Sequence, residues 1–208
     1  MSGENAKLAV DYKERIVWLD GEITNQIAKR LIRIIKRLNK LKRDPIYIYI
    51  RGLGGNTYAC LNIMSAIERS NSPITCIAHE YVASGCFLLI QAANQKLAVS
   101  GTKLNFHKAE SYEMIRASKR VKKMAFSQLY HTVQLDRLRA MDALQLYWFN
   151  KGGNSAKQVF NLFQMDAIIG IKKACQIDVL DGYFPDNDFE EDKKKINKIL
   201  KDKEKKRH

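Results

Sequence analysis

The sequence predicts an α/β fold built on a parallel sheet with right-handed crossovers, and three observations carry that reading. Short runs rich in Ile, Val and Tyr alternate with longer segments whose apolar residues recur every three or four positions. The run Ile46-Tyr47-Ile48-Tyr49-Ile50 is apolar on both faces, as a strand covered on both sides requires. With 208 residues and 46% apolar content, the chain is long enough to bury one sizeable core.

Taken in order, residues 15–19 read as a strand closed by Asp20-Gly21. Over residues 25–42, Ile27, Leu31, Ile34, Ile35, Leu38 and Leu41 fall at helical spacing with basic residues between them, and Asp44-Pro45 ends the helix. A strand at 46–50, a helix at 57–69, a turn at Asn71-Ser72-Pro73 and a strand at 74–78 follow. Residues 87–93 read as a helix, and 97–99 and 103–106 as short strands. Residues 110–150 lack Gly and Pro and are rich in Met, Leu, Arg, Lys and Gln, which predicts one or two long helices broken by Gly152-Gly153. Further helices are expected at 155–165 and 168–174, and Gly182-Tyr183-Phe184-Pro185 reads as the exit from the domain. The organisation expected is a short N-terminal extension over 1–13, one domain over 14–185 with a helical region at 110–153, and a charged tail over 186–208. Ile196, Ile199 and Leu200 are the only aliphatic residues of that tail, too few to offset the entropy of ordering it, so a frayed helix or disorder is expected there.

The formal net charge of +14 raises nucleic acid as a partner. Its distribution argues against it: the basic clusters at 29–43, at 116–123 and from 193 onward lie on helical or tail positions, with no aromatic-interleaved strand. No apolar run approaches the length of a membrane span, and the first 20 residues lack a signal-peptide pattern, so a cytoplasmic protein without a membrane partner is expected. Cys60, Cys76, Cys86 and Cys175 sit in apolar segments without metal-ligand spacing and read as small core residues in a reducing compartment. With no ligand-spaced His or Cys and no phosphate-binding glycine motif, neither a metal nor an organic cofactor is expected.

The chemistry concentrates between residues 46 and 107. A serine hydroxyl is a poor nucleophile until a neighbouring base takes its proton, and the oxyanion of acyl transfer needs N–H donors already in place. Ser84 follows a strand and precedes an apolar helix, and Gly85 offers an N–H directly after it at the positive end of the helix dipole. Gly54-Gly55 closes another strand, where backbone approaches a ligand closely, and His107 ends a third. Each feature alone is ordinary; their order brings all three to the carboxyl edge of one sheet, where open α/β folds place their sites.

These segments resemble the proteolytic subunit of the Clp protease, the ClpP family, over residues 14–183. Residues 14–23 are similar to the family's opening strand and turn. Residues 46–56 are similar to the strand leading into its Ser-Pro-Gly-Gly turn, which here reads Gly52-Leu53-Gly54-Gly55. Residues 73–84 match without a gap the segment ending in the family's catalytic serine, Phe87-Leu88-Leu89 echoes the helix beyond, and Phe106-His107 resembles the strand delivering the catalytic histidine. Aligning Val179-Leu180-Asp181 with the family's terminal Leu-Val-Asp sets Lys173-Ala174 on its Glu-Ala pair and Asp166 on its catalytic aspartate, with Asp178, Asp181 and Asn161 as neighbouring alternatives.

The resemblance implies a ClpP/crotonase-like spiral of βαβ units with a helical handle at 110–153. It implies a serine endopeptidase with Ser84, His107 and Asp166 as triad, Gly55 and Gly85 as oxyanion hole, and Gly54 and Asn56 binding substrate. It further implies a ring oligomer enclosing a chamber, peptides or unfolded proteins as substrates, and an ATP-dependent unfoldase as partner. The chain also departs from the family. One residue is missing after Ser84, the proline before Gly54 is absent, the segment after His107 lacks the Gln-Pro start, and the handle is longer. Two other readings follow from these departures: a non-catalytic subunit or scaffold assembling with an active paralogue, and a Ser-Lys dyad peptidase using Lys103 or Lys108.

Overall fold

The computed structural model describes residues 6–105, 107 and 167–184. The elements in chain order are β1 (Lys7–Asp11), β2 (Ile16–Asp20), α1 (Asn25–Leu41), β3 (Ile46–Gly52), α2 (Thr57–Glu68), β4 (Ile74–Ala83), α3 (Ser84–Gln91), β5 (Gln95–Val99), β6 (Lys103–Asn105), β7 (Ile168–Gly170), α4 (Ile171–Gln176) and β8 (Gly182–Phe184). The helices expected over 110–150 and 155–165, and the tail from 186, lie outside the described residues.

The strands form one sheet in the order β1-β2-β3-β4-β5-β8, with β6 pairing β4 and β7 pairing β6. Pairings from β2 through β5 to β8 are parallel, as is β4 with β6, whereas β1 runs antiparallel to β2 and β7 antiparallel to β6. The two-residue alternation of each strand sorts its side chains onto two faces. Val17, Leu19, Ile48, Ile50, Cys76 and Ala78 join the helices in the main core. Trp18, Tyr49 and Ile77, at the alternate positions, form a smaller cluster on the other face. His79 is buried there, with its ring 4.5 Å from that of Trp18.

Local chemistry explains the helix boundaries. Thr24 caps α1 by accepting from the Ile27 N–H, and the buried stripe of Ile27, Ala28, Leu31, Ile35 and Leu38 faces the sheet. Asn56 caps α2 through Ala59 in the same way. The end of α1 is finished by Arg15, a buried residue in the left-handed conformation at φ 57°. Its guanidinium donates to the carbonyls of Leu38 at 3.0 Å, Lys42 at 3.2 Å and Asp44 at 2.8 Å, and to Ser72 Oγ at 3.0 Å. A cation at this end also complements the helix dipole.

The structure departs from the periodicity in several places: α3 starts at Ser84 rather than 87, and residues 182–184, read as the exit from the domain, pair with β5 as β8. Residues 7–11 form an edge strand within the stretch the sequence leaves as an extension, because Leu8, Ala9 and Val10 are buried against β2. β4 continues to Ala83 rather than stopping at 78: between the pairs Ile50↔Ala78 and Gly52↔Val82 it carries extra residues, and Glu80 takes φ 56°. The helix expected at 168–174 starts only at Ile171, since residues 168–170 pair with β6.

Replacing Arg15 with Met should leave the α1 carbonyls without their donor and destabilise the chain by roughly 3 kcal/mol. Urea unfolding of Arg15→Met would measure this, and a midpoint equal to wild type would contradict the capping role.

Candidate active site

The long strand β4 sets the site. Its first half pairs with β5, from Thr75↔Gln95 to Ala78↔Ala98, and its second half with β6, from Tyr81↔Lys103 to Ala83↔Asn105. Ser84 therefore leaves β4 beside the end of β6, and His107 lies two residues beyond Asn105 on that neighbour. Both stand at the carboxyl edge of the parallel strands.

Ser84 opens α3 with φ 50°, a left-handed backbone that a non-glycine residue rarely adopts. Such a turn swings the side chain out of the strand's line, and strain of this kind is kept where the surroundings enforce it. Ala83, the residue before, makes no side-chain cap to α3, so the first N–H groups of the helix are not answered by a cap. Gly85 is buried directly behind Ser84.

The second half of the site comes from the turn after β3. A Cβ placed on Gly54 would lie 2.7 Å from Gly85 N, 2.8 Å from Ser84 Cβ and 3.2 Å from Ser84 Oγ, so only glycine lets this turn lie against the serine. Gly54 also has φ 100° and Gly55 φ 145°. The turn is tied down by Ile23, whose N–H donates to Gly54 O at 2.7 Å and whose carbonyl accepts from Asn56 N at 2.8 Å. The Gly55 N–H takes no part in that bridge. The Asn56 side-chain oxygen is committed to capping α2.

Two groups the sequence does not single out support these turns. Arg51, the residue before Gly52, grips Asp20 with Nε to Oδ1 at 2.7 Å and Nη2 to Oδ2 at 2.6 Å, and reaches Glu80 through Nη1. This joins the ends of β2 and β3 to the bulge of β4. Hydrogen bonding to Asp20, opposed by partial burial and assisted by Glu80, pushes the guanidinium pKa further up. Behind the serine, Cys60 Sγ from α2 lies 2.4 Å from where a Gly85 Cβ would stand. Neither pair is visible as a sequence motif, because its members meet only through the fold.

The structure also sorts the acidic alternatives. Asp181 accepts from Lys96 N at 2.7 Å, and Lys96 Nζ donates to the carbonyl of Asp178 at 3.0 Å. Lys96 pairs with Cys76 near the start of β4. Ser84 follows the other end of that strand, roughly 20 Å or more away at about 3.3 Å per residue. Asp178 and Asp181 are thus removed from the serine. Asp166 and Asn161 lie outside the described residues. Ala167 is described, and its carbonyl accepts from Asn105 Nδ2 at 3.3 Å. Lys103 is exposed and pairs with Tyr81, while Lys108 lies outside the described residues. Among the described residues no cluster of His, Cys, Asp and Glu could hold a metal, and no helix is long and apolar enough to cross a membrane.

This arrangement has relatives. The Clp protease family model matches residues 4–174. An ATP-dependent Clp protease proteolytic subunit from Chlorella vulgaris is 26% identical over 110 residues, covering 51% of this chain and 55% of its own. A proteolytic subunit 2 from Treponema pallidum is 30% identical over 95 residues, covering 45% of this chain and 48% of its own. The chain thus spans about half the length of these curated relatives. Among solved structures, a ClpP1 point mutant from Listeria monocytogenes superposes with a TM-score of 0.69 at 18% identity, covering 85% of this chain and 95% of that one. The chain belongs to the Clp protease family, and its fold is that of ClpP.

Burial pushes the Cys60 thiol up to about 12 and the Cys76 and Cys86 thiols higher still, whereas Cys175 is only partly buried and less affected. A thiol-reactive dye at pH about 8 should therefore titrate Cys175 first in the native protein and the other three only after unfolding. Fast reaction of Cys60 or Cys86, located by peptide mapping, would contradict the packing described around Ser84.

Proposed function

We propose that this chain is a serine endopeptidase of the Clp type that cleaves peptides or unfolded proteins through Ser84, His107 and Asp166. The observation that supports it most is the left-handed Ser84 turn at the head of α3, lying against the glycine turn of β3 and beside the strand that leads to His107. Ser84 Oγ attacks the peptide carbonyl while the His107 imidazole takes its proton. The N–H groups of Gly55 and Gly85 hold the oxyanion, and the dipole of α3 favours negative charge at the same point. His107 then returns the proton to the leaving amine, and a water molecule repeats the sequence on the acyl-enzyme to release the acid.

The β6–β7 ladder supports Asp166 as the third member. Asn105 pairs with Ile168, so the strand that leads to His107 runs beside the strand that follows Asp166 in the chain. Gly54 is proposed to line the substrate strand with Asn56 at its edge, and the exposed Leu53 and Tyr58 offer apolar surface beside it.

Assembly enters as part of the same proposal. Residues 110–150 carry Met114, Ile115, Met124, Phe126, Leu129, Tyr130, Trp148 and Phe149 among many apolar side chains, more than one handle can cover with its own domain. We assign this region to contacts between copies in a ring, with the serine facing an enclosed chamber. The curated relatives are named as ATP-dependent proteases. An ATP-driven unfoldase feeding the chamber follows by extension.

Ser84→Ala and His107→Ala should each lower hydrolysis of an unfolded protein substrate by about 10³-fold or more, without changing the melting temperature. A His107→Ala variant that keeps its rate while Lys103→Ala or Lys108→Ala loses it would replace the triad by a Ser-Lys dyad. Full activity in Ser84→Ala would remove the serine assignment. Light scattering at micromolar concentration should return a multimer, and a mass near the monomer's 23.9 kDa would remove the chamber.

A further inference from the structure

The backbone of Gly85 packs against two neighbours that come from different parts of the chain. One is Gly54, whose Cα lies 3.7 Å from where a Gly85 Cβ would stand. The other is the Sγ of Cys60, 2.4 Å from the same point, with Cys60 Cβ at 3.5 Å. The first of these is backbone of the β3 turn. The second is a side chain of α2, and it is fully buried in the main core.

Resting on the hydrolase reading, we infer that Cys60 is a positioning residue for the oxyanion hole: its sulfur sets how deep the Gly85 backbone sits behind Ser84. The physical argument is one of space. A side chain at position 85 would meet the sulfur well inside contact distance, so glycine at 85 and a thiol-sized group at 60 specify each other. A cysteine in a helix has few rotamers that avoid the preceding turn, so a fully buried Sγ acts as a fixed stop. The Gly85 N–H therefore takes its place from α2 and from the Gly54 turn together.

Charge supports the same role. The burial that lifts the Cys60 thiol to about 12 keeps it neutral at working pH. A thiolate packed against Gly85 would oppose the negative oxyanion, whereas a neutral thiol supplies bulk alone.

The pair makes a reciprocal test possible. Gly85→Ala should slow acylation by a fluorophosphonate probe by about 100-fold, the loss expected when one oxyanion donor is displaced. Cys60→Ala keeps a good helix former in α2 and should lower kcat several-fold at unchanged KM, since only the support of Gly85 is lost. Combined, the two substitutions should compensate, with Cys60→Ala/Gly85→Ala acylating at least tenfold faster than Gly85→Ala. A substitution that harms the wild type and helps the variant is not expected from a residue that merely fills the core. A double variant no faster than Gly85→Ala overturns the positioning role and leaves the hydrolase reading standing. Should Gly85→Ala fail to fold, Cys60→Ala decides alone, and an unchanged kcat overturns the role. A wild-type chain that never acylates overturns the hydrolase reading and this role together.

Discussion

The close approach of Gly54 to the backbone of Ser84 and Gly85 joins the two halves of the candidate site. It brings the end of β3 against the end of β4 at a separation no side chain would allow, with a hypothetical Cβ only 2.7 Å from Gly85 N. Everything around it serves to hold that approach. Ile23 bridges the Gly54–Asn56 backbone from the side, Arg51 clamps Asp20 and Glu80 beneath it, and Cys60 stands behind Gly85. Because each support comes from a different element, the strained Ser84 turn is imposed by the fold rather than by local preference.

The sheet topology supplies the second constraint. A strand that paired with one neighbour along its whole length would deliver only its own end residue to the sheet edge. β4 changes partner midway, from β5 to β6, at the bulge where Glu80 takes a positive φ. The change brings a second strand end, that of β6, beside the end of β4 from which Ser84 leaves. It also explains why Arg51 reaches Glu80: the ion pair sits where the strand must bend, and it ties the bend to β3.

Much of this was legible in the sequence, for identifiable reasons. β2, β3, α1 and α2 carry regular apolar spacing. The site's glycines and Ser84 were legible because turn chemistry leaves a compositional trace. The continuation of β4 was not, since buried His79 and the bulge at Glu80 interrupt the pattern expected of a strand. Nor was β7, whose three residues become a strand only by pairing with β6. The supporting pairs Arg51–Asp20 and Cys60–Gly85 are long-range contacts with no sequence period to reveal them. That Asp178 and Asp181 are remote from Ser84 was likewise not legible, since only the fold shows Lys96 holding them at the far end of β4.

The central claim is that the turn at residue 84 presents an activated serine. Incubating the native protein with a fluorophosphonate and mapping the adduct by mass spectrometry tests it most directly. The account predicts one stoichiometric adduct per chain, carried by the peptide containing Ser84, and none after prior unfolding. An unlabelled native chain, or an adduct on another residue, would contradict it.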